Sequence, residues 1–153
     1  MITKRPHSSS LRHGRFSESG RAYLVSTACA ARAALFADWQ TGRHVVTQLR
    51  FAQERNEAES LAWVVMPDHL HWLLVLREVD LATVVRRTKS RSARSVNTHL
   101  GRSGAVWQNG FHDHAIRAEE DLREVARYIV ANPIRAGLVT RIGDYPLWDA
   151  VWL

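Results

Sequence analysis

The sequence predicts an α+β domain whose elements follow in the order β-α-β-β-α-β-α. Three observations carry this reading. Short apolar or alternating stretches are separated by two long stretches of helical periodicity. The longest apolar region is interrupted at Pro67-Asp68, which turns one long strand into a hairpin. A third helical stretch runs into Asn132-Pro133, and the residue before a proline resists the α conformation. The first six elements match the split βαβ, or ferredoxin-like, βαββαβ plan with an antiparallel sheet. A C-terminal helix and tail complete it.

Each element has a local reason. Residues 1–19 are polar and rich in Ser, Arg and His, and read as a flexible basic arm. Residues 20–153 read as one domain. Residues 21–28 alternate loosely around Tyr23 and Val25 and form the first strand. Val45, Val46, Leu49 and Ala52 recur at helical spacing and predict a helix over about 42–57. Residues 60–66 and 69–76 are the hairpin strands. Asp80 is the expected N-cap of a second helix to about residue 99, with Leu81, Val84, Val85 and Val96 on its apolar side and Arg86, Arg87, Lys89, Arg91 and Arg94 on the other. The turn GRSG at 101–104 precedes a fourth strand expected over 105–117. Glu119 and Glu120 open the third helix, where the helix dipole favours acidic residues. The tail from 138 on, with Tyr145, Trp148 and Trp152, is expected to pack back on the body.

A chain of 153 residues is long enough for a core of its own. Its 21 Lys+Arg against 15 Asp+Glu give a formal charge of +6, and lysine occurs only at Lys4 and Lys89. An arginine-dominated excess suits phosphate, so a polyanionic partner is expected. Cys29 is the only cysteine, which excludes an intrachain disulfide or thiolate cluster and fits a reducing, cytoplasmic setting. Cys29 lies in a small-residue stretch with no local histidine and reads as a buried spectator. No apolar run is long enough to span a membrane, and the N-terminus has no secretion-type apolar segment.

The chemistry-bearing residues fall in three places. His69 and His71 are two apart on a strand and project to one face, while Leu70, Trp72 and Leu74 project to the other. Such a pair can chelate a divalent ion or stand idle on an exposed face. His112 and His114 form a second His-x-His, and spacing does not choose between the pairs. Tyr128 and Asn132 are four apart on the third helix, at the edge of a stripe made by Leu122, Val125, Ala126 and Ile129. Tyr128 suits either a nucleophile or a core tyrosine with a wet hydroxyl, and Asn132 either a ligand or a helix-ending residue. Of six tryptophans, most are core or edge residues, and one or two could stack on unpaired bases.

The segments MPDHLH at 66–71, VWQNGFHDH at 106–114 and YIVANPIRAGLV at 128–139, with GRAYLVS at 20–26, resemble the REP-associated tyrosine transposases. These belong to the single-tyrosine, His-hydrophobic-His (HUH) transposases, and the resemblance covers about residues 20–150. It implies a metal-dependent DNA endonuclease and strand-transferase acting on single-stranded or hairpin palindromic DNA. It implies that Tyr128 is the nucleophile and forms a 5′-phosphotyrosine. It also implies that Mg²⁺ or Mn²⁺ is held by His69, His71 and Asn132, the last standing where the wider group often has Gln. Two imidazoles favour Mn²⁺ over Mg²⁺. Trp72 stands where Leu is common. In the family, His112 and His114 belong to a signature strand rather than the metal pair. Arg86, Arg87 and Lys89 are expected to contact DNA phosphates, Arg21 to read a flanking sequence, and Arg135 to hold the scissile phosphate or the tail. Two alternatives stand beside this: a domesticated hairpin-DNA-binding protein without turnover, and a zinc hydrolase built on His112 and His114, for which no matching Glu is evident nearby. Monomer and homodimer are both compatible with the sequence.

Overall fold

The computed structural model describes residues 17–117 and 120–152. Its strands are β1 (Ala22–Ala28), β2 (Ala58–Met66), β3 (His69–Leu76), β4 (His112–Ala115) and β5 (Trp148–Ala150). Its α-helices are α1 (Trp39–Glu54), α2 (Leu81–Leu100), α3 (Leu122–Val130) and the single turn α4 (Asn132–Arg135). The strands form one sheet in the order β4-β1-β3-β2-β5, with every neighbouring pair antiparallel. This is the expected α+β, ferredoxin-like arrangement, and β3 is its central strand.

The hairpin forms where the apolar run breaks. Met66 pairs with His69 across the two-residue turn Pro67-Asp68. The pleat then divides the side chains between two layers. Val65, Leu70, Trp72 and Leu74 pack with α1 and α2, whose buried faces present Val45, Val46, Leu49, Val84, Val85 and Val96. Ala62, Val64, Met66 and Leu73 pack with Ala126, Ile129 and Val130 of α3 on the other face. Strand β2 reads as nearly continuous apolar sequence because it is covered on both sides. Trp72 is buried, and its indole N–H donates to Ser60 Oγ at 2.8 Å.

Helix ends follow their caps. Asp80 accepts from Thr83 N–H at 2.8 Å, and Gly101 at φ +63° closes α2. Helix α1 starts at Trp39, earlier than its apolar periodicity suggests, because Asp38 accepts from Gln40 N–H at 3.2 Å. Helix α3 begins after Asp121, which accepts from Arg123 N–H at 2.9 Å. The expected opening residue Glu119 lies outside the described residues, and Glu120 precedes the helix.

Two further departures have clear causes. The strand expected over 105–117 is reduced to His112–Ala115. Residues 105–110 leave the sheet as a loop, with Gly104 and Gly110 at φ +98° and +73°, joined to the end of β1 at a Cys29–Trp107 bridge. The tail does pack back, and it also adds the edge strand β5. Tyr145 Oη donates to the Val65 carbonyl at 2.6 Å, and buried Leu147 fills a notch at Gly42 that any Cβ there would close. Residues 17–20 are tied in as well: Leu81 N–H donates to Ser17 Oγ at 2.9 Å and Gly20 N–H to the Leu76 carbonyl at 2.7 Å. Among the described residues no helix is long and apolar enough to cross a membrane.

Replacing the α2 cap, Asp80→Ala, should lower stability by about 1 kcal/mol with an unchanged fold, as measured by urea denaturation. A loss indistinguishable from zero would show that the cap does not hold α2.

Candidate active site

The histidine pair stands on the α3 side of the central strand, and each ring is tied back by one nitrogen. His69 Nδ1 lies 2.7 Å from Asp68 Oδ1, and His71 Nδ1 lies 2.7 Å from Ser26 Oγ. The Ser26 contact follows from register, because Ser26 sits directly opposite His71 in the β1–β3 ladder. With both Nδ1 atoms engaged, Nε2 is left on each ring as the donor atom. The rings meet edge to face, with centroids 4.8 Å apart.

The electrostatics keep His71 in the neutral form that a metal requires. Burial is the main cause, joined by the charges of His69, Arg135 and Arg32, and together they push its pKa down to about 3. Asp68 goes the other way. Burial alone would raise it, but the His69 hydrogen bond and Arg32 outweigh that and hold the carboxyl below its ordinary range. Arg32 Nε lies 3.1 Å from Asp68 Oδ2. It reaches there from a tight turn in which Ala31 and Arg32 both take left-handed conformations, φ +55° and +53°. Non-glycine residues adopt this conformation at a cost, and here it sets Arg32 on the far side of the carboxylate that orients His69.

A cavity of about 220 Å³ opens beside the pair, lined by Ser26, Arg32, His69, His71, Asn109 and His112, among others. His112 lies in the same cross-strand row as Ser26 and His71, so both His-x-His pairs contribute to one face of the sheet. The second pair does have an acidic companion, contrary to the sequence reading: His114 Nε2 lies 3.0 Å from Glu120 Oε1. Glu120 also accepts from Arg117 N–H at 2.8 Å, which makes it a strut between β4 and the start of α3. Among the described residues no three His, Cys, Asp or Glu side chains gather as a metal cluster. A metal at His69 and His71 therefore needs an amide, water or substrate oxygen to complete it.

Helix α3 turns Tyr128 further outward than the edge of its apolar stripe, to 62% exposure. Val130, not Val125, completes the buried face. The chain then leaves α3 at Ala131, and Pro133 explains the geometry. Lacking an N–H, Pro133 cannot cap the Ile129 carbonyl four residues back. The Asn132 side chain does so instead, Nδ2 donating at 2.8 Å. With its nitrogen so engaged, Asn132 retains Oδ1 as the atom with lone pairs to offer, the correct atom for a hard cation. Arg135, one turn on, donates from Nη2 to the Tyr128 carbonyl at 2.6 Å, and its guanidinium lies 4.0 Å from the centre of the Tyr128 ring. Arg135 is thus on the tyrosine, and its charge also bears on His71.

The other basic candidates are distributed differently from the phosphate-contacting cationic side expected on α2. Arg86 is exposed. Arg87 Nη1 lies 2.7 Å from buried Glu57. Lys89 donates from Nζ to the carbonyls of Gln108 and Gly110 at 2.7 and 2.6 Å, which fastens the 105–110 loop to α2. Burial lowers its pKa to about 8, while the two carbonyls favour the charged form. Arg21 pairs loosely with Glu18 at 3.5 Å. Cys29 is buried, and burial raises its thiol pKa to about 11, which fits a spectator. Sequence reasoning missed Ser26, Asp68 and Arg32. Asp68 adjoins His69 in MPDHLH and was legible there, whereas Ser26 needed the strand register and Arg32 the unusual turn.

A ferredoxin-like sheet with paired histidines on its central strand, and a tyrosine-bearing helix on the same face, defines a class of candidate phosphodiester-processing domains. The family model for "Transposase IS200 like" matches residues 20–132, and the chain belongs to that family. It is 32% identical over 114 residues to the REP-associated tyrosine transposase of Escherichia coli (strain K12), covering 73% of this chain and 64% of that protein. It is 32% identical over 104 residues to a putative REP-associated tyrosine transposase of Haemophilus influenzae, covering 61% of this chain and 59% of that one. The matched part therefore spans less than two thirds of either curated relative. Among solved structures, a REP-associated tyrosine transposase bound to a REP hairpin superposes with a TM-score of 0.69 at 28% identity, covering 88% of this chain and 79% of that chain. A putative transposase from Deinococcus radiodurans shares the fold, with a TM-score of 0.53 at 23% identity, covering 76% of this chain and 93% of that one.

Lys89→Ala should cost about 1–3 kcal/mol, because it strips two carbonyls of their donor, whereas Arg86→Ala should stay within about 0.5 kcal/mol. Chemical denaturation of both variants checks this. Equal effects would mean that Lys89 does not fasten the loop.

Proposed function

We propose that the chain is a metal-dependent tyrosine transposase: a DNA endonuclease and strand-transferase acting on single-stranded or hairpin palindromic DNA through a 5′-phosphotyrosine. The observation that carries this reading is the placement of two tied-back imidazoles on the central strand under the helix that presents exposed, Arg135-stacked Tyr128. The hairpin substrate is supported by the solved neighbour, which is bound to a REP hairpin.

In this reading Tyr128 Oη attacks the scissile phosphorus in line. The Oη–P bond forms, the P–O3′ bond breaks, and the DNA 3′-hydroxyl leaves with a proton. The phenolic proton passes to solvent, to which the ring is open. Attack by a DNA 3′-hydroxyl on the phosphotyrosine reverses the step, and no nucleotide cofactor is consumed. His69 and His71 through Nε2, and Asn132 through Oδ1, are the residues that would hold Mg²⁺ or Mn²⁺; bound there, the ion would supply Lewis-acid polarisation of a phosphate oxygen. Asp68 and Ser26 fix the two rings, and such supporting contacts maintain ligand geometry. Arg135 keeps the tyrosine ring against the end of its helix and adds positive charge where an anionic phosphate must approach. Arg86 on the exposed side of α2, and Arg21 near the start of β1, are the outlying phosphate contacts.

Incubation with end-labelled hairpin DNA and a divalent ion should give a covalent protein–DNA adduct on a denaturing gel. Tyr128→Phe should abolish the adduct and retain hairpin binding. An adduct that persists in this variant removes Tyr128 from the nucleophile's role, and no adduct from the unaltered chain favours a binder without turnover.

His69→Ala and His71→Ala should each eliminate metal-dependent cleavage. Asp68→Asn should weaken the apparent metal affinity by about 10–100-fold, as a supporting carboxylate does. A metal-soaked crystal with the ion on His112 and His114 would overturn this choice of pair.

A further inference from the structure

We propose that the groove between the outward faces of α1 and α2 is a second anion site, which takes a phosphate group between His44 and His99 of the two helices and Arg91 and Arg94 of α2. It lies on the helical layer, on the opposite side of the sheet from His69 and His71.

The groove is an open concavity of about 470 Å³ whose lining side chains are all polar, with none acidic. His44 Nδ1 lies 2.5 Å from Ser95 Oγ, which fixes its ring and leaves Nε2 for a ligand. The His44 and His99 ring centroids are 4.7 Å apart with a 38° tilt. Burial, and then the neighbouring His99, depress protonation of His44. An anion seated between the two rings offsets that repulsion and favours the charged form of His44. Arg91 is set in advance: its guanidinium lies 4.7 Å from the centre of the Phe51 ring, and Nη2 lies 3.5 Å from Glu57 Oε1. Less side-chain freedom is therefore lost when it meets a ligand. Arg94 is exposed beside it. The charged groups facing the groove are thus His44 from α1 and Arg91, Arg94 and His99 from α2. The Glu57 carboxylate that Arg91 approaches is also held by Arg87 at 2.7 Å and Arg55 at 3.5 Å. Two guanidiniums beside two imidazoles repel a divalent cation, whereas hydroxyl, amide and cationic donors together suit phosphate oxygens.

The phosphate can come from a nucleic-acid backbone or from a small phosphate compound. The first source rests on the function proposed above, and the site itself does not. The test follows the histidine Hε1 resonances of the full chain by NMR, at pH 6 and pH 8, with inorganic phosphate in one arm and hairpin DNA in the other. Phosphate should shift the His44 and His99 signals, with affinity about tenfold or more higher at pH 6, as expected from protonating a charge-assisted pair. The double substitution Arg94→Gln with His99→Gln, at two exposed positions, should remove the His44 response while circular dichroism stays native. A response to phosphate establishes the site, and the same response to the hairpin identifies the backbone as its source. Silence toward both ligands, a His44 response that survives the double substitution, or shifts produced by Zn²⁺ but not by phosphate would overturn the proposal. Tyr128→Phe should leave the phosphate response intact, so loss of the covalent adduct and loss of this site are separate results.

Discussion

The pairing of β1 with β3 is the constraint on which the rest depends. Strand side chains alternate, so a slip of one residue would carry every side chain of β3 to the opposite face. In the register adopted, Val25 meets Trp72 and Ser26 meets His71. The first pair belongs to the core beneath α1 and α2. The second puts a hydroxyl against an imidazole on the opposite face. The large apolar payload of Leu70, Trp72 and Leu74 enforces the register, since exposing these side chains would cost several kcal/mol. The histidines are therefore aimed by residues that have no chemical part in the site. A central strand has neighbours on both sides to resist sliding, and it is a rigid place to mount a ligand pair.

A second constraint sits at the end of α3. Pro133 breaks the helical hydrogen-bond ladder, and two polar side chains repair it: Asn132 at the Ile129 carbonyl and Arg135 at the Tyr128 carbonyl. The repair has a functional corollary. It fixes which end of the Asn132 amide faces away from the helix, and it brings a guanidinium over the tyrosine ring. A straight helix without the proline would satisfy those carbonyls through backbone N–H groups and leave both side chains without a reason to lie there.

The order of elements, the hairpin at Pro67-Asp68, the faces of β3 and the Asp80 cap were legible because each has a local cause in period, breaker or cap. The extent of the fourth strand was not. The sequence over 105–111 has apolar and aromatic residues that suit a strand, but Trp107 faces α2 from a loop, its indole N–H donating to Ser92 Oγ, and a lysine 19 and 21 residues before its carbonyl partners holds that loop in place. Arg87 and Lys89 looked like members of a phosphate-contacting basic face for the same reason: their partners, Glu57 and the 108–110 carbonyls, are distant in sequence. At the candidate site, the histidine pair and the tyrosine were visible as motifs, while Ser26 and Arg32 depend on pairing and turn geometry. Tyr128's outward rotation followed from Val130 entering the core, which a single short helix leaves poorly determined.

The Lys89 latch binds main-chain oxygens and no side chain of the loop it holds. The path of residues 108–110 is thus held through main-chain oxygens, while Gln108 and Asn109 lie at the wall of the histidine cavity. Conformation and side-chain identity are decoupled at this wall. Substitutions at 108 and 109 can alter what the cavity meets without rebuilding the loop, so related chains could diversify there while keeping the same scaffold.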